Sequence, residues 1–70
     1  MNLCEASIGE EYVITEIKTN DEELDAFLFS LGCYSGEKIT VVSRRKSGMV
    51  IALKDARYHV DSHLGEAILV

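Results

Sequence analysis

Apolar and polar positions alternate along much of the chain, a pattern that predicts short strands. Residues 10–18, EEYVITEIK, are rich in β-branched and aromatic side chains, which favour a strand. The alternation slips between Ile14 and Ile17, and a β-bulge would return both side chains to one face. Gly9 suits a turn immediately before this strand.

The second half of the chain predicts four more strands. They cover residues 38–45, 49–54, 57–60 and 67–70. The first two are joined by a short connection containing Gly48, which is typical of a hairpin. Residues 61–66, between the last two strands, are interpreted as one turn of α-helix or 3₁₀-helix.

The hydrophobic period changes over residues 20–32, NDEELDAFLFSLG. Its apolar residues recur at i, i+3, i+4 and i+7 and are Leu24, Phe27, Leu28 and Leu31. This spacing predicts one face of an amphipathic helix. Asn20 with Glu23 has the form of a capping box, and the acidic residues nearby suit the positive end of the helix dipole.

Two glycines, Gly32 and Gly36, follow this helix and are four residues apart. Two glycines at this spacing are typical of helix dimers in membranes, but only inside a long apolar helix. Here the charged residues Glu37 and Lys38 follow, so a membrane helix is not expected. Gly32 is therefore interpreted as the residue that ends the helix in a left-handed conformation. Gly36 is interpreted as the residue of a tight turn into the next strand.

The pattern as a whole predicts one domain over residues 1–70. Its fold class is mainly β, a small, partly open barrel of the SH3-like kind with about five strands and one helix inserted after the first. Hydrophobic residues are 47% of the chain, enough for a single core. The expected core residues are Ile14, Leu28, Leu31, Ile39, Val41, Ile51, Leu53 and Ile68.

Charge and cysteine content narrow the range of partners and locations. Twelve acidic and seven basic residues give a net charge of −5, which disfavours nucleic acid because its binders usually carry a basic surface. Cys4 and Cys33 form neither a short-spaced metal pair nor a disulfide framework, so free thiols in a reducing compartment are expected. No signal peptide and no run of about 20 apolar residues is found, which indicates a cytoplasmic protein without membrane insertion.

Several residues together resemble the FeoA family. They are the strand after Gly9, the run Leu28-x-x-Leu31-Gly32-hydrophobic-x-x-Gly36, then Ile39-x-Val41, and finally Ile68-x-Val70. The resemblance extends from about Leu3 to Val70. It implies an SH3-like barrel and an accessory role beside the FeoB-type membrane GTPase permease for ferrous iron. A similar domain forms the C-terminal end of the iron-dependent repressors of the diphtheria toxin repressor type. The present sequence shows no DNA-binding helix-turn-helix beside it, so a free-standing domain is expected.

The chain departs from the family pattern at a few positions. Phe27 and Phe29 stand where the family commonly carries basic residues on either side of the leucine matched by Leu28. Gly65 replaces a usual alanine and Val60 a usual leucine. A partner contact that depends on positive charge along this helix is therefore not expected.

The groups that could bind a metal are few. His59 and His63 are four residues apart, a spacing that brings two ligands together on a helix, but His59 falls in a predicted strand. Two surface histidines are the simpler interpretation, and these residues are weak metal candidates. Cys33 is expected to pack in the core as a small hydrophobic residue, and Cys4 to be an inert thiol. No cofactor is predicted.

Two exposed sets of residues are candidates for binding a partner. Arg44, Arg45 and Lys46 form a basic run at a hairpin tip, either a solvated turn or a contact for an acidic surface. Phe29 lies off the apolar face of the helix and, with Tyr34, could form an exposed apolar patch of the kind that marks interaction sites.

Catalysis finds no support, since no nucleophile with a base, no phosphate loop and no paired acids can be placed. The favoured function is a protein-interaction adaptor, which the family resemblance implies. A small metal- or ligand-sensing module is the alternative. Binding of proline-rich peptides is disfavoured because the chain has no Trp and few aromatic residues to line a groove.

Overall fold

The computed structural model describes residues 1–70, and its strands form two antiparallel sheets. The elements in chain order are a 3₁₀ turn at Leu3–Glu5, β1 at Glu11–Val13, β2 at Glu16–Ile17, α1 at Glu22–Ser30, β3 at Lys38–Arg45, β4 at Gly48–Leu53, β5 at Ala56–Asp61, α2 at Ser62–Ala67 and β6 at Ile68–Leu69. One sheet has the order β1-β3-β4-β5, and the other pairs β2 with β6. The predicted mainly β fold class, with a helix inserted between the first strand region and the rest, is confirmed.

The predicted first strand, residues 10–18, is divided between the two sheets. β1 pairs with β3, whereas β2 pairs with β6. Between them, the Ile14 N–H donates to the Glu37 carbonyl and the Thr15 N–H donates to the Leu69 carbonyl, each at 2.8 Å. The slip in the alternation therefore marks a change of sheet, and the predicted bulge at this point is wrong. A shift in strand register occurs instead in β3, between Val41 and Ser43.

Two-residue loops close both hairpins of the larger sheet. The β3–β4 loop is residues 46–47, and β4 begins at Gly48. A Cβ atom added to Gly48 would lie 2.2 Å from the Val60 carbonyl oxygen, so the close approach of β5 requires glycine there. In the β4–β5 loop, Lys54 and Asp55 have φ of +49° and +64°, and positive φ at both loop residues is typical of a type I′ turn.

The core lies between the two sheets and the ends of the helices. Every predicted core residue is buried except Leu31, which is only half-buried. Cys33 is buried as predicted, and the core contains four further hydrophobic residues outside the predicted set: Leu3, Ala6, Met49 and Val60. Leu3 and Ala6 belong to an N-terminal segment to which the sequence pattern assigned no element, and this segment completes the core.

Helix α1 differs from its prediction at its start and on its apolar face. Its N-cap is Asp21, whose carboxylate accepts the backbone N–H groups of residues 23 and 24 at 2.9 and 3.4 Å. The predicted capping box at Asn20 is therefore wrong. Of the predicted apolar face only Leu28 is fully buried, while Phe27 is 49% exposed and Leu24 is half-buried. The helix thus meets the barrel through one deeply inserted leucine.

The predicted helical turn at residues 61–66 is confirmed as α2. Asp61 caps it by accepting the Leu64 N–H at 2.8 Å. Gly65 is buried within α2, where an added Cβ would lie 2.6 Å from the methyl carbon of Met49. Neither α1 nor α2 has the length and apolarity that crossing a membrane requires.

Candidate partner-binding surface

The end of α1 determines which side chains reach the surface nearby. Gly32 has φ of +88°, and its N–H donates to the Phe29 carbonyl at 3.0 Å. The Cys33 N–H donates to the Leu28 carbonyl at 2.9 Å. This pair of bonds is a Schellman motif, and the buried side chains of Leu28 and Cys33 supply the apolar contact that accompanies it. The reversal of the chain brings Tyr34 back towards Phe29.

A second tight turn follows at Gly36, which has φ of +93°. Its N–H donates to the Ile14 carbonyl at 2.8 Å, and the Glu37 N–H donates to the Tyr34 carbonyl at 3.1 Å. The segment between α1 and β3 is therefore fixed by backbone hydrogen bonds on both sides of Tyr34.

Phe29, Tyr34, Glu37 and Lys54 form one surface cluster, which we call the aromatic corner. The ring centroids of Phe29 and Tyr34 are 5.0 Å apart with an angle of 35° between their planes. Phe29 is 66% exposed, the highest value among the large hydrophobic residues that face solvent. Lys54 Nζ lies 5.1 Å from the centre of the Tyr34 ring and 3.1 Å from the Tyr34 hydroxyl oxygen.

The charged half of the aromatic corner is internally paired. Lys54 Nζ lies 3.2 Å from Glu37 Oε1. The hydrogen bond to the Tyr34 hydroxyl, followed by the one to Glu37, raises the pKa of Lys54. Lys54 therefore remains charged across the physiological pH range, with its ammonium group held against the ring. The corner presents an exposed apolar ring beside a polar rim, the arrangement found in protein interfaces.

The sequence pointed to Phe29 and Tyr34 but missed Lys54 and Glu37. Lys54 is 20 residues from Tyr34 along the chain, and only the β4–β5 hairpin brings it there. In the sequence, Glu37 is simply a polar residue that follows the two glycines. No local pattern reports either contact, because both depend on how the sheet folds over the end of α1.

The basic run at the β3–β4 hairpin consists of residues with different surroundings. Arg44 Nη2 donates to the carbonyl oxygen of Leu3 at 3.1 Å and to that of Ala6. The side chains of Arg45 and Lys46 are exposed and form no salt bridge. Arg44 therefore holds the N-terminal segment, and the other two basic groups face solvent.

The two histidines lie on different elements. His59 is exposed on β5 and His63 is exposed on α2, so the spacing of four residues does not place them along one helix. No group of three or more His, Cys, Asp or Glu side chains in the structure is arranged to hold a metal ion. Metal sites built by a protein usually supply three or four ligands.

The two thiols also differ in their surroundings. Cys33 is 1% exposed, and burial raises its pKa to about 11. Cys4 is half-buried, and its Sγ lies 3.4 Å from the Ser62 carbonyl oxygen. Burial and then the nearby Glu66 carboxylate raise the pKa of Cys4. A raised pKa lowers the thiolate fraction at neutral pH and with it the nucleophilicity of both groups.

The surface has two open clefts. One, of about 440 Å³, runs between the start of α1 and α2, where Asp21, Leu24, His63 and Glu66 line it. The other, of about 460 Å³, lies on the larger sheet beside the β4–β5 loop. Phe29 and Tyr34 line neither cleft, whereas Lys54 of the aromatic corner lines the second.

Comparison with known proteins identifies the family and its fold. The family model of the FeoA domain matches residues 1–70. The crystal structure of an iron uptake regulatory protein, FeoA, has a TM-score of 0.85 at 20% identity, covering 97% of this chain and 91% of that chain. FeoA from Stenotrophomonas maltophilia, crystallised with zinc and described as a prokaryotic SH3 domain protein, has a TM-score of 0.87 at 16% identity, covering 100% and 88%.

A manganese-dependent transcriptional repressor contains a similar unit. Its TM-score is 0.88 at 20% identity, covering 97% of this chain but 39% of the repressor. No curated protein matches at the level of sequence. Identities this low show a shared fold, whereas the family match covers every residue of the chain. The chain belongs to the FeoA domain family, small accessory proteins associated with ferrous iron transport.

Proposed function

We propose that this protein binds the cytosolic face of an FeoB-type ferrous iron permease and modulates it through surface contact, without turnover. The observation that carries the proposal is the aromatic corner, in which Phe29 is 66% exposed and stacks on Tyr34. An accessory protein of a transport system needs a surface for its partner, and a large exposed ring on a fixed backbone is a suitable anchor.

The aromatic corner is prepared for binding before a partner arrives. Gly32 and Gly36 fix the backbone around Tyr34, and Lys54 holds the Tyr34 hydroxyl. A side chain that is already ordered loses little conformational freedom on association, so more of its contact energy contributes to affinity.

The basic hairpin has a separate part in this proposal. Arg45 and Lys46 project into solvent and would attract an acidic surface during approach, which changes the association rate more than the final affinity. Arg44 is excluded from this role in the proposal because its guanidinium group is bonded to the N-terminal segment.

The proposal is tested by titrating the purified cytosolic domain of the cognate permease with wild-type protein and variants, at low and high salt. Phe29→Ala and Tyr34→Ala should each weaken binding by about 1 kcal/mol or more, with little dependence on salt. Ser30→Ala, which changes an exposed neighbour on α1, is the matched control and should bind as the wild type does. Arg45→Glu with Lys46→Glu should slow association, and added salt should reproduce that effect.

The outcomes separate the two surfaces. If folded variants of Phe29 and Tyr34 bind normally while the hairpin reversal abolishes binding, the basic hairpin is the contact and the aromatic corner is not. Absence of binding by the wild type at both salt concentrations would contradict the proposal. A metal titration followed by NMR tests the alternative of metal sensing, which requires stoichiometric shifts around His59 and His63.

A further inference from the structure

One edge of the larger sheet is long, regular and unpaired. Strand β5 is hydrogen-bonded to β4 on one side and to no strand on the other. Its six residues pair with β4 without a register shift, and they include neither Pro nor Lys. The opposite edge, β1, has only three residues. Proteins usually blunt a free edge with such residues or with bulges, because an open edge can pair with another chain.

The hairpin geometry determines which residues of β5 face the open side. Leu53 and Ala56 close the two-residue β4–β5 loop as a hydrogen-bonded pair, and such pairs recur at every second residue. The bond from the Ser62 N–H to the Ser47 carbonyl, 3.3 Å long, keeps the same alternation beyond the strand. The backbone N–H and C=O groups of the even-numbered residues of β5 therefore form the hydrogen bonds to β4.

The odd-numbered residues direct their backbone groups away from β4. Arg57 and His59 offer both N–H and C=O, and Asp61 offers its N–H, since the carbonyl of an N-cap residue accepts the first bond of its helix. All three side chains are exposed. Gly65 of α2 packs against Met49 and Cys4, on the core side of the sheet.

The charges along this edge complement each other under a two-fold rotation. Arg57 and Asp61 lie two residues on either side of His59, and neither forms a salt bridge within the chain. Asp61 Oδ1 accepts the Leu64 N–H of α2, so its Oδ2 is the oxygen that can face a second copy. If two copies of β5 pair antiparallel with His59 opposite His59, each Arg57 stands directly opposite Asp61 of the second copy. Opposite charges in such cross-strand positions are favourable, and a slip of the register separates them.

We propose that the protein associates with a second copy of itself through antiparallel pairing of β5, centred on His59. The three facing pairs are formed by residues whose backbone groups already point outward, so no rearrangement of the sheet is needed. On the core side, Tyr58 faces Val60 of the second copy. The contact is small, so we expect a weak dimer in exchange with the monomer.

Sedimentation of the protein alone, across the micromolar to millimolar range, tests the proposal. The wild type should shift from monomer towards dimer, and ¹H–¹⁵N NMR shifts on dilution should concentrate at the amides of Arg57, His59 and Asp61. His59→Pro removes an outward N–H and leaves the bonds to β4 intact, since proline is tolerated at such edge positions. It should abolish dimerisation, while the matched His59→Thr should retain it.

A surface variant provides a test that does not touch the backbone. Arg57→Glu places like charges opposite each other at both ends of the contact, and we expect the dimer dissociation constant to rise about tenfold. Added salt should raise it in the wild type as well. A wild type that stays monomeric over the whole range, or a dimer that persists in folded His59→Pro, would overturn the proposal.

Discussion

Hydrogen bonds to backbone carbonyls hold both the end of α1 and the N-terminal segment in place, but the donors differ. At the end of α1, residues 28–33, backbone N–H groups of the same six residues supply the bonds. In the N-terminal segment, residues 3–6, carbonyl oxygens are bonded by the Arg44 side chain from 41 and 38 residues away. Each segment buries a leucine and contains one cysteine.

This difference has consequences for stability and for function. A Schellman motif is formed by neighbouring residues, so the end of α1 and the aromatic corner beside it depend on a glycine and on one buried leucine. The N-terminal segment depends on a long polar side chain that reaches across the fold. A single substitution on β3 therefore removes both Arg44 bonds to residues 3–6 at once, whereas the backbone bonds beside the aromatic corner depend on residues 28–33 themselves.

The largest effect is expected from truncating the leucine that holds α1 on the barrel. Leu28 is 0% exposed, and it is the one residue of the predicted apolar face that is fully buried. Leu28→Ala should lower the free energy of unfolding by about 2 to 5 kcal/mol, measured by urea denaturation. Leu24→Ala, at a half-buried position of the same helix, is the matched control and should cost clearly less. Equal losses would show that α1 packs along its whole face.

The next effect tests the other segment. Arg44→Ala removes two partly buried hydrogen bonds from a charged donor to backbone carbonyls, and we expect a loss of about 1 to 3 kcal/mol. Amide hydrogen exchange should increase in residues 3–6, since these would detach before the sheet unfolds. Arg45→Ala, one position further along the same strand, should change stability by no more than about 0.5 kcal/mol. If both arginine variants lose the same stability, Arg44 does not hold the N-terminal segment.

The two segments also show why sequence patterns recover some features and miss others. Gly32 directly follows a helical period, so a local rule identifies it, and its φ of +88° is the left-handed conformation expected there. Arg44, Arg45 and Lys46 are adjacent in the sequence, so the pattern alone predicts one basic run with one role. The bonds of Arg44 to Leu3 and Ala6 arise only after β3 and the N-terminus meet in the fold.

The same reasoning applies to the strands and the candidate site. The sequence predicted five strands where the structure has six. It could not show that residues 10–18 change sheet at Ile14, because a bulge and a change of sheet both interrupt the alternation. The proximity of Phe29 and Tyr34 follows from the short turn between them. Lys54 joins them through a hairpin of distant sequence, and no periodicity encodes that contact.

A smaller effect is expected at the glycine that ends α1. Gly32→Val places a β-branched residue at φ of +88° and should cost about 1 to 2 kcal/mol. Gly32→Asn is the matched control, because asparagine adopts the left-handed conformation more readily. In either variant the new Cβ would lie 2.7 Å from Lys54 Cδ, so Lys54 must move. Because valine is the more strained residue at this φ, Gly32→Val should melt at a lower temperature than Gly32→Asn. A Gly32→Val protein that melts like the wild type would contradict the role of Gly32.

The smallest effect concerns the two cysteines, one in each segment. Cys33 is 1% exposed with a pKa of about 11, and Cys4 is half-buried. At neutral pH a maleimide should therefore label Cys4 first and should reach Cys33 only when the end of α1 opens. Labelling of Cys4→Ala and Cys33→Ala proteins, followed by mass spectrometry, isolates each thiol.

The raised pKa of Cys33 also predicts how stability changes in alkali. In the unfolded chain this thiol loses its proton near its ordinary value of 9.0, while in the folded protein it keeps the proton until about pH 11. Between these values the folded state binds more protons, so the free energy of unfolding should fall as the pH rises. Cys33→Ala should show a smaller alkaline loss than Cys4→Ala in urea denaturation at pH 8 and pH 10. Equal alkaline losses would contradict the larger rise in pKa caused by burial of Cys33. Equally fast labelling of the two thiols would mean that the end of α1 opens as readily as the N-terminal segment.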